Sequence, residues 1–222
     1  MKLSQCFISV MSWQQITNKM KFVQKDYFLE KAKDYDKQKS RTQNVENIAQ
    51  AILKESLFSK EMSVMDFGSG TGLLLSKIAP HVGEITAIDI SASMNEVLRS
   101  KIGAIDCRLQ IKEIDLTKET LNETFDVIIS SMTIHHTKNV LELFKRFHSL
   151  LNNNGSIAIA DLDKEDGSFH TTDTGVFHFG FDREEFLNIA KEAGFKDLKI
   201  QNASVVEKPT GNYPVFLLTG EK

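Results

Sequence analysis

"VMDFGSGTGLLLSK", residues Val64–Lys77, decides the fold. A short apolar run meets an acid, Asp66, and then three glycines, Gly68, Gly70 and Gly72, within five positions. An apolar run with helical spacing follows. Glycine loses more backbone entropy on folding than any other residue and adds no packing. Three of them where a strand turns into a helix mean that something comes close to the backbone. A pyrophosphate-binding turn would read G-x-G-x-x-G, but Leu73 stands where the third glycine belongs. Asp66 adds negative charge beside the loop, which suits a cationic ligand group better than a phosphate.

Outward from this turn, strands and helices alternate. "SVMDF" reads as a buried strand, followed by a helix to about Ile78. "EITAID" is a second strand, and "SASMNEVLRSKI" a helix capped by Ser91. "CRLQIKEID" and "FDVIISS" are the third and fourth strands. The helix "KNVLELFKRFHSLL" is stopped by "NNNG", and "SIAIADLD" is the fifth strand. "DREEFLNIAKEAG" is a helix with Asp182 as its N-cap and Gly194 near its end. "FKDLKIQNASVVE" and "YPVFLLTGE" close the chain as strands. Upstream, "KDYFLEKAKDYDKQKS" and "RTQNVENIAQAILKES" both carry helical periodicity. The alternation from Ser63 to Phe195 predicts an α/β fold, a doubly wound, mostly parallel sheet with helices on both faces. One irregular stretch is long, Asp163 to Phe181. Such a connection in a compact domain is functional or disordered, and this one is too aromatic for disorder.

The 222 residues and 25.1 kDa suit one domain of moderate size with a terminal extension. Residues 1–20 read as a loose extension, with Met20 as a second candidate start and Trp13 unassigned. Residues 21–60 read as N-terminal lid or cap helices, and 61–222 as the ligand-binding domain with its loop at 163–181. With 41% hydrophobic residues the chain can bury a real core. A net charge of −3 disfavours nucleic acid as a partner, because phosphate binding needs a basic face. Cys6 and Cys107 lie far apart without metal-ligand spacing and suggest a reducing compartment. No stretch reaches the roughly 20 apolar residues of a membrane span. The chain therefore reads as cytoplasmic, with no membrane partner, and as a monomer or homodimer.

In a doubly wound sheet the ligand lies beyond the carboxyl ends of the strands. Three acids collect there, each near the end of a successive strand. Asp66 precedes the glycine loop. Asp89, about 20 residues later, is spaced to accept hydrogen bonds from ribose hydroxyls. Asp115 can accept from an exocyclic amine. Asp89 can instead cap the helix after it, and Asp115 can cap "LTKETL".

These motifs in this order resemble a class I S-adenosylmethionine-dependent methyltransferase of the small-molecule type, similar to the quinone-biosynthesis group. "DFGSGTG" resembles the family's first motif, "AIDIS" its second, "EIDL" its adenine acid and "FDVIISSMTIHH" its fourth-strand motif. "LLNNNGSIAIAD" is similar to the family's L-x-x-G-G turn, with Asn154 in place of the first glycine. The resemblance implies strand order 3-2-1-4-5-7-6, with the last strand in sequence antiparallel. It implies S-adenosyl-L-methionine as cofactor, held by Tyr35, Asp66, Gly68, Ser69, Gly70, Gly72, Asp89, Ile90, Met94, Asp115, Leu116 and Ser130, with the glycines making room for it. Tyr35 lies in "KAKDYDKQK", which resembles the family's lid helix; it covers the cofactor or only packs on the sheet.

The acceptor implied is an O, N or C nucleophile of a small molecule. A protein or nucleic-acid methyltransferase and a non-catalytic cofactor-binding regulator are the alternatives. Of the neighbours His135 and His136, the family pattern favours His136 for the crevice, as a general base or as a brace for the loop. His170 and His178 are further acid–base candidates in the long loop, opposite the methyl group. Phe169, Phe177, Phe179 and Phe181 would wall an apolar pocket, and Asp161 would point toward it. The His and Asp residues of this region fit no metal spacing.

Overall fold

Strand β1 (Ser63–Phe67) carries the glycine loop at its carboxyl end in the computed structural model, which describes residues 26–222. Its side chains alternate between two hydrophobic layers, as a strand's must. Val64 and Met65 are both fully buried, on opposite faces.

Four more strands run parallel to β1. These are β2 (Glu84–Ile88), β3 (Arg108–Lys112), β4 (Phe125–Ser131) and β5 (Leu151–Leu162). β6 (Lys196–Lys208) and β7 (Gly211–Glu221) form a hairpin, and β7 slots antiparallel between β5 and β6. Among the described residues the sheet has seven strands in the order 3-2-1-4-5-7-6, the order expected.

One face packs on α1 (Lys39–Glu55), α2 (Leu73–Ile78) and α3 (Ala92–Ser100), through Ile48, Ile52, Leu75, Ile78 and Leu98. The other packs on α4 (Val140–Leu150) and α5 (Arg183–Glu192). In α4, Val140, Leu143, Phe144, Phe147 and Leu150 are all buried, a stripe at helical spacing. Burying each large ring contributes about 1.5–3 kcal/mol. The helix starts follow their caps. Ser91 Oγ accepts from Met94 N at 3.2 Å, Asn139 Oδ1 from Glu142 N at 3.2 Å, and Asp182 Oδ1 from Glu184 N at 2.9 Å.

Several boundaries differ from the sequence reading. α1 begins only at Lys39; residues before it form a turn and a short 3-10 helix, Ala32–Lys37. Here the carboxylates of Asp26 and Asp36 bind elsewhere in the fold, and these contacts override the helical periodicity. "NNNG" does end α4, but the strand has already begun. Leu151 pairs with Phe125 and Ser156 with Val127, so residues 152–155 bulge out, with Asn154 at φ 63°. β3 stops at Lys112, which leaves Asp115 in the following loop. The readings of Cys6, Trp13 and Met20 lie outside the described residues.

Candidate active site

The carboxyl ends of β1, β2 and β4 open onto a cavity of about 1130 Å³. The glycine loop forms its floor, and its three glycines do different work. A Cβ on Gly68 would stand 2.1 Å from Thr133 Cγ2, and one on Gly72 2.4 Å from Leu98 Cδ1. Those two are glycine because protein lies against them. A Cβ on Gly70 would meet nothing within 4 Å, and its φ of +53° is one that side chains rarely adopt. Gly70 and Gly68 line the cavity; Gly72 does not. The room expected of all three glycines is therefore made at Gly70.

Asp89 closes the loop from the side. Its Oδ2 accepts from Gly70 N at 2.8 Å and its Oδ1 from Ser91 N at 2.8 Å. Burial raises its pKa against these hydrogen bonds. It lines the cavity together with Ile90 and Met94. Asp66 lies behind the loop, buried, and its Oδ2 has no hydrogen-bond partner. Burial and the nearby Asp89 push its pKa up to about 8, so near neutrality it is largely uncharged and the negative charge expected of it is absent. Ser69 and Ser130 are buried outside the lining too, and Ser130 Oγ donates to Phe67 O at 2.7 Å.

Asp115 and Leu116 line the far end. Asp115 Oδ1 accepts from Thr117 N at 3.0 Å and from its hydroxyl at 2.5 Å, and Oδ2 pairs with Lys118 at 2.6 Å. Burial raises the Asp115 pKa, but the Lys118 and Thr117 hydrogen bonds outweigh it and hold the carboxyl low. The turn-capping role weighed for it is present.

A lid closes the other side. Tyr35 lines the cavity, its ring edge-on to Phe28 at 6.4 Å and the Arg41 guanidinium 3.7 Å above it. The lid is clasped at two carboxylates. Asp26 accepts from Ser91 Oγ at 2.9 Å, Ser93 N at 3.1 Å and Ser93 Oγ at 2.8 Å, at the start of α3. Asp36 accepts from Thr71 Oγ1 at 2.5 Å and pairs with Lys101, whose Nζ also donates to Thr71 O at 2.7 Å. Asp26 and Phe28 line the cavity and no local pattern marks them; the serines that Asp26 holds are 65 and 67 residues away.

His136 faces the cavity, and its ring is edge-on to Phe28 at 5.9 Å. Burial and the adjacent His135 lower its pKa to about 4. His135 turns into the core. The long loop supplies Thr174–Phe177 to the wall. Its histidines do not line the cavity. His170 Nδ1 pairs with Thr174 Oγ1 at 3.0 Å behind His136, and His178 Nε2 with Thr137 O at 3.0 Å, its ring on Phe181 at 5.1 Å. Of the three candidate histidines, His136 lines the cavity and His170 and His178 lie outside its lining. Phe177 walls the cavity, Phe169 and Phe181 are buried, and Phe179 lines a separate cleft. Asp161 is fully buried against His135, not aimed at the cavity.

No helix among the described residues is long and apolar enough to cross a membrane. A family model for the methyltransferase domain matches residues 38–200. An uncharacterised methyltransferase of Schizosaccharomyces pombe is 31% identical over 168 residues, 68% of this chain and 57% of its own. One from Mycobacterium tuberculosis is 27% identical over 112 residues, 49% of this chain and 56% of its own. The chain thus spans little more than half the length of these relatives. Among solved structures, phosphoethanolamine N-methyltransferase 2 of Haemonchus contortus, in complex with S-adenosyl-L-methionine, aligns at TM-score 0.67 and 17% identity over 91% of this chain and 61% of that one. Magnesium protoporphyrin IX methyltransferase of Synechocystis, with bound S-adenosylhomocysteine, aligns at 0.61 and 15% over 82% and 84%. The [4+2]-cyclase SpnF aligns at 0.66 and 14% over 79% of each chain, so the architecture alone does not fix a reaction. With the family model covering most of the chain and the sheet in the expected order, the chain belongs to the methyltransferase-domain family, on the class I S-adenosylmethionine-dependent methyltransferase fold.

Proposed function

We propose that this protein binds S-adenosyl-L-methionine in the cavity and moves its methyl group to an O, N or C nucleophile of a small molecule. The observation that carries the reading is the open space over Gly70, beside a carboxylate fixed by Gly70's own N–H. The residues present fit the cofactor. Gly70 leaves room for its amino-acid and ribose parts, and Asp89 offers acceptor lone pairs to the ribose hydroxyls. The neutral Asp66 behind the loop can ionise as positive charge approaches. The backbone of Leu116 and the Asp115 carboxylate flank the adenine end.

Bound there, the cofactor supplies a methyl group already activated by its sulfonium charge. The chain's remaining task is to align and enclose. Tyr35 and Phe28 on the lid, with Val176 and Phe177 on the long loop, exclude water and hold the acceptor in line; such positioning alone supplies several kcal/mol. His136, neutral at physiological pH, is a cavity-facing group able to accept a proton from the acceptor. A cavity roofed by lid and loop supports a small acceptor over a macromolecule.

Calorimetric titration with S-adenosylmethionine tests the reading. Wild-type protein is expected to bind it, and Asp89→Ala to lose about 1.5–3 kcal/mol of affinity, as for hydrogen bonds to a charged group. Equal affinity in the two proteins would remove Asp89 from the site. No binding by the wild type would overturn the proposal.

A further inference from the structure

A second group of charged side chains gathers outside the cavity lining. Lys31 stands on the lid, Arg41 in the first turn of α1 and Lys208 at the end of β6. None of the three lines the cavity, and none forms an ion pair among the described residues. Residues 1–25 contain no Asp or Glu that could supply one. Neutral groups hold each cation instead. Lys31 Nζ donates to Thr172 Oγ1 at 3.0 Å. The Arg41 guanidinium lies 3.7 Å above the Tyr35 ring, and its Nη1 donates to Tyr35 O at 2.9 Å. Lys208 Nζ lies 3.4 Å above the Phe169 ring and donates to Phe169 O.

The three charges are close enough to act on one another. Burial and Arg41 lower the Lys208 pKa, Glu165 raises it, and Lys31 lowers it again. Glu165 is thus the acid that faces Lys208. Its Oε2 accepts from Gly167 N at 2.8 Å and Phe169 N at 3.0 Å, and its Oε1 is buried without a partner. Gathering three cations around one acid costs free energy that a bound anion would offset. His170 borders the same group. Its Nδ1 pairs with Thr174 Oγ1 at 3.0 Å, and its Nε2 is buried with no partner. Burial and the rings of His135 and His136, then Lys208 and Lys31, lower its pKa to about 3, so the ring is neutral. When Nδ1 accepts from the threonine hydroxyl, Nε2 carries the proton and is a buried donor without an acceptor.

We propose that Lys31, Arg41, Lys208 and His170 bind a phosphate group, free or as a monoester, and that the bound group ties the lid to the long loop and to the β6–β7 hairpin. Charge sets the ligand class. Three cations facing Glu165 leave an excess of two positive charges. A phosphate monoester carries about 1.5 to 2 negative charges near pH 7. A carboxylate carries one and leaves half of the excess in place. Ring faces and carbonyls already fix two of the cations, so little side-chain freedom is lost on binding. Lys31 belongs to the lid, His170 to the long loop and Lys208 to the hairpin, so one oxyanion on all three opposes opening of the lid. The site lies outside the cavity lining and stands whether or not the cavity takes S-adenosylmethionine.

Calorimetric titration of the wild-type protein with inorganic phosphate, at an ionic strength held constant with sodium chloride, tests the site. Saturable binding of one phosphate per chain is expected. Lys208→Gln is expected to weaken it by about tenfold or more, the scale of a hydrogen bond to a charged group. If Lys208→Gln does not fold, Lys31→Gln, at an exposed position, is read in the same way. No saturable binding by the wild type, or wild-type affinity in the variant, would overturn the site. Acetate that binds as tightly as phosphate would overturn the ligand class. Glycerol phosphate serves as the monoester: tighter binding than inorganic phosphate assigns the site to an ester, and weaker binding assigns it to the free ion. Imidazole nitrogen NMR is expected to show phosphate shifting the His170 signals while those of His148, packed on Phe195, stay in place; unmoved His170 signals would remove the ring from the site. Phosphate is expected to slow proteolysis within residues 26–37, and an unchanged cleavage rate would overturn the tie to the lid.

Discussion

At Gly70 one missing methyl group decides whether the cavity floor is open. Gly70→Val adds bulk where nothing stands within 4 Å and forces a branched residue to φ +53°. The strain costs about 1–3 kcal/mol and the branches enter the ligand's space. Cofactor binding is expected to vanish while circular dichroism stays near wild type; calorimetry showing wild-type affinity would leave the glycine a turn residue only. Gly72→Ala should do the opposite. Its methyl meets Leu98 at 2.4 Å, so it should lower the melting temperature more than it lowers affinity. Asp66 makes a pH prediction. Its folded pKa, about 8, lies above the unfolded 3.8, so its stabilisation is full below about 4 and is lost as pH rises through 8. Asp66→Asn is neutral throughout. Its melting temperature, relative to wild type, is expected to climb across that range; a constant difference would place Asp66 in contact with solvent. That Asp89 and His136 line the cavity was legible, the first from its spacing after the glycine loop and the second from the family resemblance alone. The separate jobs of the three glycines were not, since they depend on Thr133 and Leu98, which stand opposite only after folding.

At the scale of the element, short-range chemistry read well and long-range chemistry did not. The starts of α3 and α5 were visible because Ser91 and Asp182 cap within three residues. Asp182→Ala should cost about 1 kcal/mol, read as a shift in denaturant midpoint without a change in slope. The segment before α1 misled. Its periodicity is helical, but Asp26 and Asp36 reach across 65 positions to Ser91 and 35 to Thr71, and tertiary contacts override propensity. Asp36→Asn keeps an acceptor for Thr71 and discards the ion pair with Lys101. It is expected to weaken cofactor binding severalfold and to speed proteolysis of the lid; resistance equal to wild type would show that Lys101 contributes nothing to closure. The bulge at 152–155 escaped notice because "NNNG" signals a stop and is silent on where the next strand pairs.

Over the whole molecule, the hydrophobic pattern sufficed for the architecture. Four buried runs and the edge strand β3, joined through helices except between β3 and β4, have few ways to form a parallel sheet. The glycine turn after the first run puts the crevice at one edge of it. What the pattern leaves blank is which side chains meet there from distant segments. His135 and Asp161 are 26 residues apart and share two hydrogen bonds, and nothing in the alternation of strand five distinguishes an acid turned inward from one turned outward. Of the loop 163–181, Thr174 to Phe177 reach the cavity. Phe177 and His178 donate their backbone N–H groups to His135 O at 2.9 and 3.2 Å, which fixes the loop's far end and turns His178 away.

The two clasps of the lid also set a clock. Asp26 holds the start of α3 and Asp36 holds the glycine loop, so the lid segment is tied to the cavity rim at two points. Opening is then a candidate for the slowest event of a turnover cycle, as it is in many enzymes with closing loops. Such a cycle has a recognisable time course: a rapid first turnover equal in amount to the enzyme present, then a slower steady rate. Because Lys101 and Asp36 are only partly shielded from solvent, that steady rate should quicken with ionic strength while the rapid phase does not.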